Sequence, residues 1–172
     1  MERKPINHFV AGIIIAAIVV IYSMVLQFMG LGLNKSLGWL AYLFLIVGLI
    51  IFINQYAKAR DYQSTFGNLF SYGFKATAII ALILFVFRLV FFLSFPEFKQ
   101  RIMESARQGM EDQGKMSDSQ IDAAITIFSK NFLLFTVGIA LFMDLICGMI
   151  GSLIGAAVTK KKQFNPLDQP SV

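Results

Sequence analysis

Four stretches of this chain, over about residues 9–33, 37–56, 73–95 and 131–159, are each an almost unbroken run of apolar residues. A helix of roughly 20 such residues crosses a hydrocarbon core about 30 Å thick. Backbone in lipid has to satisfy its own hydrogen bonds, so each stretch must be helical and the four must pack together. The expected fold is therefore all-α, a four-transmembrane-helix bundle. Only 15% of the 172 residues are charged and 57% are apolar, whereas soluble proteins carry about a quarter charged residues. So little chain is left over that residues 1–172 are read as a single integral membrane domain.

Between the spans the connections differ in kind. The basic start MERKPINH enters the first span without an A-x-A cleavage site after it, and the apolar run exceeds that of a signal peptide, so it is read as a helix that stays. Gly32, Asn34, Lys35 and Ser36 make a short turn, which forces the first two spans into an antiparallel hairpin. Trp39 and Tyr42 suit an interfacial belt. Residues 54–71 are polar and are expected to form a loop with a short surface helix. The long outer loop, 96–130, carries apolar residues at helical spacing (Phe98, Ile102, Met103, Ala106, Met110; then Ile121, Ala124, Ile125, Phe128), with Ser117 and Gln120 spaced as a capping box. Two amphipathic helices are expected there, the second leading into the last span. Residues 163–172 read as a disordered tail.

Basic residues at span ends give an orientation. Arg3, Lys4, Lys58, Arg60, Lys75 and Lys160 to Lys162 lie on one side; Lys35, Lys99, Arg101, Arg107, Lys115 and Lys130 lie on the other, where six acids offset them. The positive-inside rule then places both termini in the cytoplasm.

The last span holds the most specific pattern. Asp144 interrupts it, and helical steps of three and four from Asp144 reach Gly148, Gly151, Ser152 and Gly155. Small residues let two helices approach closely in lipid, and Gly151 to Gly155 is a GxxxG step. The third span carries a matching small face, Gly73, Thr77 and Ala81, followed by Arg88. An isolated Arg or Asp inside a membrane costs about 2.5–3.5 kcal/mol on insertion scales, and pairing relieves both. Aligning Arg88 with Asp144 sets Ala81 beside Gly151 and Thr77 beside Gly155 by residue count, and Phe85, Phe91 or Phe92 is expected to add a cation–π contact to Arg88. The structural role of the pair, fixing how the two helices meet, outweighs a proton path, because a relay needs several such groups in series.

Other chemistry is thinly represented. G-x-S-x-G, HExxH, CxxC and phosphate-cradling glycine loops are all missing from the sequence. Cys147 lies inside a span, and the one histidine, His8, sits at a membrane entry without ligand-spaced neighbours. No catalytic residues, cofactor or metal are expected. The net charge of +5 sits at span ends, so the expected partner is the bilayer rather than nucleic acid.

Tyr62 and Thr65-Phe66-Gly67, Phe95-Pro96-Glu97, Met116-Ser117-Asp118-Ser119-Gln120-Ile121 and Gly151-Ser152-Leu153-Ile154-Gly155-Ala156-Ala157 together resemble the bacterial membrane family known as domain of unknown function 4199. The resemblance, from about Phe9 to Lys162, implies a four-span inner-membrane protein and supplies no activity. The expected function is that of a non-catalytic accessory protein, self-associating or part of a larger membrane complex. The alternative is a small ion, proton or solute conduit using Arg88 and Asp144.

Overall fold

A computed structural model of the chain describes residues 5–161; the 163–172 tail, Arg3, Lys4 and Lys162 lie outside the described residues. Among the described residues there are six helices and no strand: α1 (His8–Phe28), α2 (Lys35–Lys58), α3 (Phe66–Ser94), α4 (Pro96–Glu111), α5 (Asp118–Lys130) and α6 (Phe132–Val158). Four of them, α1, α2, α3 and α6, are long and apolar enough to cross a membrane. The two shorter helices lie between the third and fourth of these.

Local chemistry sets the helix ends. Asn7, Asn34 and Thr65 stand just ahead of α1, α2 and α3, and each side-chain oxygen accepts a backbone N–H, from Phe9, Leu37 and Asn68 at 3.2–3.3 Å. The first helix stops at Phe28, short of the expected residue 33. Gly30 turns left-handed there, at φ 74°. That turn lets the Leu31 N–H reach the Leu26 carbonyl at 2.9 Å and the Gly30 N–H reach Gln27, a Schellman closure.

At the other end of the hairpin the polar stretch behaves differently from expectation. There is no separate surface helix over 54–71: α2 runs on to Lys58, and Phe66 to Ser71 are the opening turns of α3. Helices of this length extend beyond the apolar run because their backbone bonds are self-contained, and Thr65 rather than the start of hydropathy decides where α3 begins. The turn between them closes by the same Schellman pattern, with Tyr62 N–H to Ala57 at 2.9 Å, but here the left-handed positions are Asp61 and Tyr62 rather than glycine.

The four long helices form a ring. α6 packs on α3 and α2, and α1 packs on the same two helices from the opposite corner, while α2 and α3 also touch across the middle. Sequence dictates which side of each helix turns inward. On α1 the buried residues are Ala11, Gly12, Ile15, Ala16 and Val19, and on α2 they are Leu45, Leu49, Ile53 and Ala57, both at steps of three and four. In lipid such burial gains little from transfer out of water, so close contact has to do the holding. Gly12 sits against α3, where an added Cβ would lie 2.9 Å from Ile79, and Gly48 sits against α1, 2.9 Å from Ile15. The short helices pair with each other and meet the bundle at the adjoining ends of α3 and α6, with Phe98 of α4 also edge-on to Phe28 of α1.

Candidate functional site

Two places in the bundle gather polar chemistry, one within the spans and one at an end. Within the spans, Arg88 of α3 and Asp144 of α6 meet directly. The Arg88 guanidinium donates through Nη1 to Asp144 Oδ2 and through Nη2 to Oδ1, the latter at 3.2 Å, a two-pronged contact. Asp144 is 1% exposed, whereas one-fifth of the Arg88 side chain remains open.

The small residues lie near this pair, though not in the register counted from it. Thr77 faces Gly148 and Ser152, and Gly73 faces Ser152, whose Oγ would be 2.7 Å from a Cβ added at position 73. Gly151 and Gly155 turn instead to α2: a Cβ at Gly151 would stand 3.1 Å from the Ile46 Cα, and one at Gly155 3.3 Å from that of Ile50. Ala81 is buried within α3. The expected Thr77–Gly155 pairing is thus replaced by contacts of Thr77 with Ser152 and Gly148, about one and two turns away, and Gly151 meets α2 rather than Ala81. The cause is side-chain direction. Side chains lean toward the N-terminus of their own helix, so in antiparallel helices two side chains that touch at their tips belong to backbones staggered past one another. Arg88 and Asp144 lean toward each other over that stagger, while glycines report the level of the backbones themselves.

Hydroxyls complete the α3–α6 seam. Thr77 Oγ1 donates to the Gly73 carbonyl at 3.0 Å and Ser152 Oγ to that of Gly148 at 2.7 Å, so neither buried hydroxyl lacks a partner, and the two oxygens lie 3.4 Å apart. The expected ring under Arg88 is not there: among the described residues the cations over aromatic faces are Arg60, Lys99, Arg101 and Lys161. Phe91 is drawn elsewhere, into a phenylalanine cluster with Phe87, Phe92, Phe95 and Phe98 at centroid distances of 5.0–5.8 Å. Edge-on contacts of Phe28 with Phe95 and Phe98 tie α1 into it.

At the opposite end of the bundle, residues 5–8, the end of α2 and the start of α3 enclose an open groove of about 390 Å³. Tyr56 and Tyr72 stack at 4.3 Å along it, Arg60 lies 4.9 Å over Tyr56, and Tyr72 donates to the Ile6 carbonyl at 3.0 Å. Lys75, His8 and Ser71 complete its rim. In the sequence these residues read as loop and span ends. The available signal was the pair of tyrosines bracketing a basic turn, Tyr56 and Tyr72, which α2 and α3 bring together. Among the described residues no three His, Cys, Asp or Glu side chains converge as a metal site.

Four long apolar helices, a buried intramembrane ion pair and a hydroxyl-lined helix seam define a multi-pass α-helical membrane protein. Within that class the chain belongs to the family described as Protein of unknown function (DUF4199), whose model matches residues 11–161. Neither the curated proteins nor the solved structures contain a match to it.

Proposed function

We propose that the protein is a non-catalytic component of a bacterial inner membrane, with both termini cytoplasmic, that assembles with further copies or with a larger membrane complex through its α4–α5 hairpin. The observation that carries this reading is how little the hairpin owes to the bundle. Phe98 is the one buried residue of α4 and Ile121 the one of α5. The two helices are held to each other by Arg107, which bonds Asp122 of α5 at 2.8 Å and is braced by Glu111 of its own helix at 2.9 Å, and by Lys99, which donates to the Ser129 carbonyl at 3.3 Å. Their apolar residues at helical spacing suit an amphipathic pair lying at the membrane surface, with one face free for a partner. The glycine ladder of α6 is less suited to that role, because α2 and α3 of the same chain occupy it.

The conduit alternative draws less support. Both Asp144 oxygens already take an N–H from Arg88, so the carboxylate is closed on its partner rather than open to a path.

Alkaline phosphatase fused after Gly114 is expected to be active and fused after Lys161 inactive; the reverse pair would refute the orientation. For assembly, Cys147 is the free cysteine among the described residues and is buried, so a Cys147→Ser background accepts a single surface probe. Met116→Cys is expected to cross-link into a defined adduct in native membranes, while a lipid-facing Phe142→Cys stays monomeric. Equal monomeric behaviour of both, together with a flux in liposomes that Asp144→Asn abolishes, would favour the conduit.

A further inference from the structure

We infer that the groove between the N-terminal segment, the end of α2 and the start of α3 binds a phosphate-bearing anion, at that depth the headgroup of an acidic phospholipid.

The argument begins with charge. Among the described residues, Arg60 and Lys75 are the charged side chains of its lining, both are basic and both are exposed at its mouth. Arg60 is also fixed in direction, because its guanidinium rests on the Tyr56 ring, which leaves its N–H edge available for a bidentate contact with phosphate oxygens. His8, Asn68 and Ser71 add hydrogen-bonding groups around the same space. Helix α1 begins at the rim, and the first-turn N–H groups of a long helix carry partial positive charge that favours an anion.

Shape and position supply the second half. The stacked Tyr56 and Tyr72 form a rigid, amphipathic wall of the kind found at the membrane–water boundary. Tyr72 holds the chain at Ile6 in place from below, so the cavity is bounded on three sides by fixed elements. The volume of about 390 Å³ lies in the range of small-molecule sites. Because the groove opens at the end of helices that span a bilayer, a lipid headgroup meets it without leaving its leaflet. A soluble phosphate offers the same chemistry and has to come from the aqueous side.

The single histidine of the chain gives a probe inside the site. Full-length protein carrying ¹³C-histidine is placed in phosphatidylcholine nanodiscs, and the His8 ring resonances are followed as phosphatidylglycerol replaces a growing fraction of the lipid. A saturable shift is expected. Arg60→Gln and Lys75→Gln should each weaken the apparent affinity by about fivefold, the usual worth of one base near an anionic surface. Lys58→Gln removes a charge at the same end of the bundle but outside the groove, and should leave the curve unchanged. Asn68→Asp, which adds a carboxylate to the rim without removing a base, should weaken binding as well, and covers the case in which an Arg60 variant folds poorly. A second arm titrates inorganic phosphate into discs of phosphatidylcholine alone: saturation there, with the same variant pattern, assigns the site to a soluble phosphate, and its absence assigns it to the lipid. A His8 signal that drifts without saturating in both arms, or a Lys58→Gln loss equal to that of Lys75→Gln, overturns the site.

Discussion

The side chain of Thr77 fills the space that a side chain at position 148 would need, so that α3 and α6 touch through a threonine on one helix and bare backbone on the other. With little hydrophobic drive between helices in lipid, this contact and its neighbours at Gly73 and Ser152 carry much of the adhesion between the two helices. A Gly148→Ala replacement therefore forces Thr77 or the helix itself to move, and is expected to destabilise the bundle by about 1–3 kcal/mol. Adding Thr77→Ala to it should restore part of that loss, since the methyl and hydroxyl nearest the new Cβ are then gone. Unfolding in mixed micelles measures both, and an unperturbed Gly148→Ala protein would contradict the close approach.

Four helices were legible because a long apolar run in a chain like this has one low-energy form, and the small residues of α6 were legible as a packing face. Which helix each one meets was not. Gly148 and Ser152 lie on one stripe, Gly151 and Gly155 on another about 60° around the helix, since three residues turn a helix by about 300°. A face that wide serves two neighbours, and α3 and α2 take one stripe each. The register differs from the residue count for a related reason: counting from Arg88 and Asp144 treats long side chains as though they marked the level of their backbones. The end groove was hidden because its walls come from three segments that only the folded bundle brings together.

The turn between α2 and α3 places Asp61 at φ 49° and Tyr62 at φ 59°, both left-handed. That conformation costs an ordinary L-residue roughly 1–2 kcal/mol, and aspartate less than most. Asp61→Gly is expected to raise stability, and Asp61→Val, whose branched side chain fits there worst, to lower it by at least about 1 kcal/mol. Equal melting temperatures for the two variants would mean that the turn is not held as described.

Arg107 joins α4 to α5 in full view of solvent, and bonding to Glu111 first, then Asp122, pushes its guanidinium up from the ordinary value. A cation held up in this way contributes below its unfolded titration and loses the contribution only as pH rises through the folded one. For arginine that window extends above any working pH. Arg107→Lys should move the limit to about pH 10.4, the lysine range. Spin labels on α4 and α5 are thus expected to keep one narrow distance distribution up to alkaline pH in the parent and to broaden near that pH in the variant. High salt should broaden both, because the pair is exposed.

The pair of Arg88 and Asp144 gives the sharpest test of what holds the spans together. Each charge alone inside the membrane is costly, and the carboxylate is the more deeply enclosed of the two. Arg88→Leu leaves that carboxylate with no donor for either oxygen, while Asp144→Leu leaves a guanidinium whose side chain is one-fifth open and better able to find water. Loss of one partner from a buried pair costs about 3–5 kcal/mol, so Arg88→Leu should fall toward the upper part of that range and Asp144→Leu toward the lower. The double leucine variant removes both charges at once and should recover much of the loss. A double-mutant cycle in nanodiscs reads the coupling directly. Single losses that simply add would mean that the two groups do not stabilise one another, and would return Asp144 to consideration as a titrating group in a path across the membrane.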